Sequence, residues 1–387
     1  MRDAVICAAV RTPVGKRGGG LSGVHAVDLS AHVVQALAER SGIDPAVVED
    51  VFWGCVSQVG EQTFNIGRNA VLAAGWPESV PGTTIDRQCG SSQQAVAFAA
   101  ATVISGQADV VVAGGVEMMS RVPMGSASNP AAGAGRPMGP KFMERYAGQP
   151  INQGVGAEMI AERWGFSRTQ LDEFSLASHE KAAKAQADGA FEEELVPVTT
   201  PDGAVVGADE GIRPGGTLEK LGSLKTPFKA DGVISAGNAS QISDGSAALL
   251  ITTSEKAREL GLTPLVRIHT TVMAGDDPVI MLTAPIPATQ KVLARSGLSI
   301  GDIGIYEVNE AFAPVPMAWL ADIGADAARL NPRGGAIALG HPLGGSGARI
   351  MTTLIHQMQA QGIRYGLQTM CEGGGMANAT ILELLDA

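Results

Sequence analysis

At 387 residues, with 45% hydrophobic and 17% charged side chains, the chain exceeds what one core normally serves and is too apolar for disorder, so a soluble protein of two or more domains is expected. A formal net charge of −11 argues against a polyanion-binding surface, because nucleic-acid affinity rests on phosphate neutralisation; a small anionic ligand needs only a few local cations. Four cysteines, at 7, 55, 89 and 371, show no CxxC pair or metal-like spacing, and the six histidines are scattered, so neither a metal site nor a disulfide scaffold is expected.

In chain order, the opening residues carry an acid at Asp3 and a short apolar run ending at Arg11, which suits a strand over 5–10 better than a signal peptide. No apolar run near Ala95 is long enough to span a bilayer, and a cytoplasmic location is expected. A helix over 28–40 capped by Asp28, a strand over 47–56, a helix over 65–74 and a strand over 80–85 follow. Then come a helix over 91–104 and an apolar run, 110–115, typical of a strand covered on both faces. Such alternation predicts an α/β layered domain with a largely parallel sheet.

From about Met118 to Ser243 the texture changes: Pro, Gly and Met become frequent, and helices over 156–164 and 168–187 appear without strands between them. This reads as an insert covering the site. Its twelve basic and fifteen acidic residues make it less acidic than the whole, the better home for an anion contact. A strand over 247–253 returns to the sheet. Gly42-Ile43-Asp44 leading into Val51-Phe52-Trp53-Gly54 then has an echo in Gly297-Leu298-Ser299 leading into Tyr306-Glu307-Val308-Asn309. The expected organisation is 1–117 with 244–265 as one half, 118–243 as the insert, and 266–387 as a second copy of the first half.

Thr84-Ile85-Asp86-Arg87-Gln88-Cys89-Gly90-Ser91-Ser92 reads as strand, sharp turn, helix. Cys89 lies where the helix N-terminus favours thiolate over thiol, yet a buried apolar cysteine is an equal reading of this stretch alone. In the second half, Gly340-His341-Pro342-Leu343-Gly344-Gly345-Ser346-Gly347 occupies the equivalent turn. Asn309-Glu310-Ala311-Phe312 and Cys371-Glu372-Gly373-Gly374-Gly375 each follow a strand, where glycines let backbone N–H groups approach a ligand.

Taken with Gly237-Asn238-Ala239-Ser240, these five motifs in order closely resemble the thiolase family over essentially the whole chain. The resemblance implies the thiolase fold: two repeated βαβαβαββ halves in five αβαβα layers, with an inserted loop domain. It implies a 3-ketoacyl-CoA thiolase, cleaving 3-oxoacyl-CoA with coenzyme A into acetyl-CoA and a shortened acyl-CoA. Cys89 would be the nucleophile, His341 its base, Cys371 the second acid/base, and Asn309 the residue that orients an oxyanion-binding water. The N–H groups of Cys89 and Gly373 would hold the oxyanion, and Arg213 and Ser240 would contact coenzyme A, although a solvated surface charge suits Arg213 equally. No cofactor beyond the substrate coenzyme A is implied, and a homodimer or homotetramer is. Biosynthetic condensation of two acetyl-CoA is the alternative direction. A decarboxylating ketoacyl synthase is disfavoured by the second thiol, Cys371, and an inactive lipid-binding relative by the presence of all four catalytic side chains. Asp86, Ser92-Gln93 and Gln153 depart from common family residues and are expected to bear on the acyl substrate. The Cys-Gly-Ser-Ser-Gln-Gln wording looks like degradative branches that include steroid-catabolic thiolases.

Overall fold

The computed structural model describes residues 2–128, 133 and 135–385. The first half comprises β1 (Val5–Arg11), β2 (Gly15–Lys16), α1 (Ala26–Ser41), β3 (Asp50–Gly54), α2 (Ile66–Ala73), β4 (Thr83–Ile85), α3 (Ser91–Ser105) and β5 (Val110–Met118). The insert contributes α4 (Pro140–Arg145), α5 (Gln153–Trp164), α6 (Arg168–Ala187), a small hairpin of β6 (Val198–Thr199) and β7 (Val205–Val206), and α7 (Leu218–Gly222). The first half closes with β8 (Ser243–Thr252) and α8 (Ser254–Glu259). Thereafter come β9 (Val266–Gly275), α9 (Pro285–Ser296), β10 (Ile305–Val308), α10 (Pro314–Ile323), α11 (Ala336–Leu339), α12 (Ser346–Gln361), β11 (Tyr365–Glu372) and β12 (Met376–Leu384).

The repeat expected from sequence is visible in the strand pairing. In the first half β3 pairs parallel with β5, β5 antiparallel with β8, and β8 antiparallel with β1. In the second, β10 pairs parallel with β11, β11 antiparallel with β12, and β12 antiparallel with β9. The halves join where Val5 and Ile6 of β1 meet Arg267 and Val266 of β9, giving one ten-stranded sheet system. Among the described residues only β3–β4, β3–β5 and β10–β11 pair parallel, so the largely parallel sheet expected from sequence is corrected to a mixed one: the closing strands of each half return antiparallel. One strand is cut short in the second half: β4 pairs parallel with β3 over three residues, while its counterpart is a single parallel bridge from Leu330 to Tyr306 of β10, followed by the short helix α11 and the turn at Gly340.

Three apolar cores separate the layers. On the outer face of the first half, Leu29, Val33 and Leu37 of α1 and Ile66 of α2 pack on Trp53 and Val112. Between the halves, Val96 and Val103 of α3 and Met351, Leu354 and Ile355 of α12 fill the space among Ile6, Val111, Leu249 and Ile268. Ala288, Val292 and Trp319 of α9 and α10 cover Val308, Leu367 and Ile381 on the other outer face. The five layers therefore follow from where apolar side chains must go: β5 and β8 are buried at every position, and α12 is buried on nearly all sides, its polar Arg349, Thr352, Thr353 and Gln357 included.

Element boundaries moved where local chemistry overrides the apolar pattern. Helix α1 starts earlier than expected, and its cap is His25, whose Nδ1 accepts from the Val27 N–H; Asp28 lies inside the first turn. Of the strand expected over 47–56 only Asp50–Gly54 pairs, because Pro45 starts a single 3₁₀ turn ahead of it. Residues 80–82 stay outside β4; the Val80 and Gly82 carbonyls accept from Arg68 and Asn65 side chains instead of from a strand.

The two turns that carry the site motifs are pressed against the sheet by backbone contact. A Cβ on Gly54 would lie 2.4 Å from the Ser92 nitrogen and 2.6 Å from the Gly344 oxygen, so only glycine fits there. Beside it, the buried Glu117 carboxylate at the end of β5 accepts from the N–H groups of Val56 (2.9 Å), Ser57 (3.0 Å) and Gly344 (2.9 Å), and from Gln62 Nε2 (2.8 Å).

A buried ion pair holds the insert down. Arg11, at the end of β1, donates through Nε to Glu194 (2.6 Å) and through both terminal nitrogens to Asp209 (2.7 and 2.9 Å), and neither its side chain nor that of Glu194 is exposed. Arg11→Met should cost about 3–5 kcal/mol of unfolding free energy, since it leaves Asp209 buried without its cation and Glu194 with only the longer pair to Arg333 (4.0 Å). Denaturant unfolding followed by far-UV circular dichroism measures this, and a loss below about 1 kcal/mol would show that the carboxylates find other partners.

Candidate active site

Cys89 is placed by a turn whose hydrogen bonds are nearly all local. Asp86 Oδ1 accepts from the Gln88 N–H (2.7 Å), Gln88 takes a left-handed φ of 48°, and the Gly90 N–H returns to the Arg87 carbonyl (3.1 Å). Ser91 Oγ accepts from the Arg87 N–H (2.9 Å) and donates to the Gln88 carbonyl (2.6 Å). The thiol sits just before α3, facing its own N–H and that of Gly373. Those donors do not decide its ionisation: burial, followed by the nearby Glu372 carboxyl, pushes it up to about 12. The expectation that the helix N-terminus would favour thiolate is therefore corrected for the resting protein, in which Cys89 is a thiol.

His341 follows Gly340, whose φ of 98° is closed to most side chains. The His341 N–H donates to Ser243 Oγ (3.1 Å). Its Nδ1 lies 2.6 Å from Ser346 Oγ, and Ser346 donates its single proton to the Pro342 carbonyl (2.8 Å). Assigning the tautomer from these bonds, Nδ1 carries the hydrogen and donates to Ser346, leaving the Nε2 lone pair free. Asn309 Nδ2, 3.4 Å away, points at that lone pair. Burial, then the Arg349 charge, lowers the imidazole to about 3, so it stays neutral.

Cys371 is fully buried on β11, and burial followed by Cys89 holds its thiol well above the ordinary value. Asn309 is its near neighbour, since the Asn309 N–H donates to the Thr369 carbonyl on the same strand (3.0 Å). Leu343, two residues from His341, packs with Cys89 and Met370. The turn from Gly373 to Gly375 needs left-handed backbone at Gly374 (φ 87°) and Gly375 (φ 76°), and it presents the Gly373 N–H to the Cys89 sulfur.

Cys89, Gly373 and Leu343 open onto a cavity of about 1080 Å³. Its other walls come from the insert (Met124, Met138, Phe142, Tyr146, Ile151 and Gln153), from Pro278 and Met281, and from Asp86 and Asp276. No Lys, Arg or His lines it among the described residues. Asp86 and Gln153 thus face the cavity. Ser92 and Gln93, expected to bear on the acyl substrate, do not: Ser92 Oγ accepts from the Ala348 N–H of α12 (2.8 Å) and Gln93 Nε2 donates to Thr380 Oγ1 of β12 (3.0 Å), so both turn inward from α3. Arg213 and Ser240 lie outside the lining. Arg213 is exposed, donating to Gln241 Oε1 (3.3 Å), and the half-buried Ser240 donates its N–H to the Ala311 carbonyl (2.9 Å).

Three contributors were missed in the sequence. Ser346 sets the His341 tautomer, and its signal is a hydroxyl five residues after the histidine inside a glycine-rich turn. Glu117 betrays itself only as an acid in an apolar strand. Glu310, read as part of a catalytic motif, accepts from Ser178 (2.7 Å), Asn331 (2.9 Å) and the Ile337 N–H (3.2 Å), and so fixes the approach to α11.

Family models described as "Thiolase, N-terminal domain" and "Thiolase, C-terminal domain" match residues 4–255 and 262–384. The chain is 50% identical to the steroid 3-ketoacyl-CoA thiolase of Mycobacterium tuberculosis, over 100% of this chain and 95% of that protein. It is 45% identical to the 3-oxoadipyl-CoA/3-oxo-5,6-dehydrosuberyl-CoA thiolase of Escherichia coli, over 99% and 100%. A crystal structure of the Bacillus anthracis acetyl-CoA acetyltransferase superposes with a TM-score of 0.92 at 39% identity, covering 100% of this chain and 99% of that one.

The buried thiol and neutral imidazole predict how the resting site reacts. Alkylation of Cys89 by iodoacetamide should still be accelerating with pH at 9.0, the ordinary thiol value, whereas a preformed thiolate–imidazolium pair would give a plateau near neutrality. Intact-mass analysis after timed exposure follows the reaction, and such a plateau would overturn the assignment of a neutral pair.

Proposed function

The chain belongs to the thiolase family of acyltransferases, and from that premise we propose that it cleaves a 3-oxoacyl-CoA with coenzyme A, through an acyl thioester on Cys89. The observation that carries this reading is the convergence on the cavity wall of the Cys89 thiol with the N–H groups of Cys89 and Gly373. Behind that wall stands an imidazole whose free lone pair is set by Ser346.

In this reading His341 Nε2 takes the Cys89 proton as sulfur bonds to C3 of the substrate. The C2–C3 bond then breaks, and its electron pair leaves as the acetyl-CoA enolate. Cys371 gives that enolate a proton, and the resulting thiolate takes the proton of the incoming coenzyme A thiol. Coenzyme A attacks the Cys89 thioester and carries off the shortened acyl group, and the departing Cys89 sulfur takes back the proton held on His341 Nε2. Backbone N–H groups suit the developing oxyanions because they add no charge to the site and need no reorganisation. Arg213 and Ser240 contact coenzyme A, the enzyme works in the cytoplasm as a homodimer or homotetramer, and it needs no cofactor beyond the substrate coenzyme A. No helix of the described residues is long and apolar enough to cross a membrane.

The acyl group we assign is bulky and uncharged. A 3-oxoadipyl group ends in a carboxylate, and a wall with two aspartates and, among the described residues, no cation repels it. The methionine and aromatic side chains of the insert suit a large apolar group, and the volume is at the upper end of the range for drug-sized ligands. A thiolysis screen tests this. Polycyclic or long-chain 3-oxoacyl-CoA esters should exceed 3-oxoadipyl-CoA in kcat/KM by about 10²-fold or more, and the reverse ranking would overturn the assignment.

Cys371 separates a thiolase from a simple Cys–His acyl transferase. Cys371→Ser should slow the exchange of acetyl-CoA α-hydrogens with D2O by about 10²-fold or more, because a serine hydroxyl is too weak an acid/base near neutral pH. An NMR time course reads this; unimpaired exchange would make Cys371 structural.

A further inference from the structure

Directly after Cys371 stands a carboxyl that the proposed chemistry does not use. Glu372 is fully buried, and neither of its oxygens has a hydrogen-bond partner. Asn378 on β12 is fully buried as well, and its Oδ1 is likewise unpartnered. In the β11–β12 ladder Glu372 stands opposite Met376 and Met370 opposite Asn378, which puts Glu372 and Asn378 on one face of the sheet. That face meets the nucleophile turn. A Cβ built on Gly90 would fall 1.9 Å from Glu372 Oε1 and 2.7 Å from Asn378 Oδ1, so both oxygens crowd onto the same point beside Cys89.

Two buried acceptor oxygens gathered beside one glycine, neither with a hydrogen-bond donor, are costly in a dry interior. Turning the Asn378 amide does not help: its Nδ2 donates to the Gly90 carbonyl (3.4 Å), and the flip would set Oδ1 against that carbonyl. No cation supplies the missing donor either. Among the described residues Glu372 forms no ion pair, and the nearest guanidinium, that of Arg87, is directed at Met376 Sδ (3.9 Å). One proton on the carboxyl satisfies both groups.

We propose that Glu372 is held as a neutral carboxylic acid that donates to Asn378 Oδ1, and that it is a positioning residue which seats the Cys89–Gly90 turn while adding no charge beside the two thiols. The charges around it agree. Burial raises its carboxyl to about 8; the Arg87 charge and the Asn378 N–H favour the anion, and Asp86 opposes it. Glu372 in turn stands next after burial among the groups that raise Cys89, ahead of Glu117. Ionised Glu372 would add a like charge where Cys89 must become anionic.

The role rests on the nucleophile reading given above, but its first test does not need a substrate. Infrared difference spectra between the wild type and Glu372→Gln should show, near neutral pH, a protonated-carboxyl carbonyl band that only the wild type has. That band should vanish on the alkaline side with a midpoint of about 8. Glu307, another buried carboxyl raised to about 8, is present in both proteins and cancels in the difference. Asn378→Ala removes the acceptor of the O–H, destabilises the neutral form and should lower that midpoint. Cys89 alkylation at pH 9.0 should be faster in Glu372→Gln by about threefold or more, and the same variant should keep wild-type kcat near neutrality, where Glu372→Ala loses it. A missing carboxyl band, a midpoint unmoved or raised by Asn378→Ala, or superimposable alkylation profiles would overturn the proposal. Should the band and the alkylation behave as stated while no 3-oxoacyl-CoA is cleaved, the reading of the reaction fails and that of Glu372 stands.

Discussion

The Glu117 carboxylate is the point on which the two halves agree. It closes the first half's longest parallel-paired strand, gathers the Val56 and Ser57 N–H groups that form part of the cavity wall, and reaches across to the Gly344 N–H in the second half's turn. With Gly54 and Gly115 touching the Gly344 carbonyl, that turn is gripped from both sides, one contact by hydrogen bonding and the other by the absence of side chains. His341 and Ser346 flank the gripped residue. The imidazole therefore owes its position to a strand end in the opposite half of the molecule, and site geometry is a property of the packed duplicate and of neither half alone.

Much of this was legible in the sequence because the responsible forces are local or periodic. The boundaries of α6 were read without error, and α3 and β5 were read closely, since apolar period, small-residue turns and glycine stops all agree there. The site motifs were found because glycine-rich turns at strand ends mark places where backbone meets ligand. What stayed hidden depends on contacts far apart in the chain. Nothing near Ser92 announces that its hydroxyl caps the start of α12, and nothing near Arg11 announces Glu194 or Asp209. The thiol of Cys89 stayed open between two equal readings for the same reason: a helix end and an apolar setting are both visible in sequence, but the depth of burial that lets the second outweigh the first is not.

The electrostatic character of the site follows from that burial. Cys89, Cys371 and His341 all have their charged forms disfavoured, and the donors aimed at the sulfur are backbone amides. These three side chains are held neutral at rest, and negative charge developing on the Cys89 sulfur meets N–H groups. The insert completes this by walling the cavity with methionine and aromatic side chains in place of water.

The shortened counterpart of β4 has a consequence for the whole design. In the first unit β4 carries the backbone straight into the turn that holds a buried sulfur; in the second only Leu330 bridges to Tyr306, and α11 intervenes before the turn that holds an imidazole. The two units are therefore alike in strand pairing and unlike in the side chain each turn carries, and neither holds both.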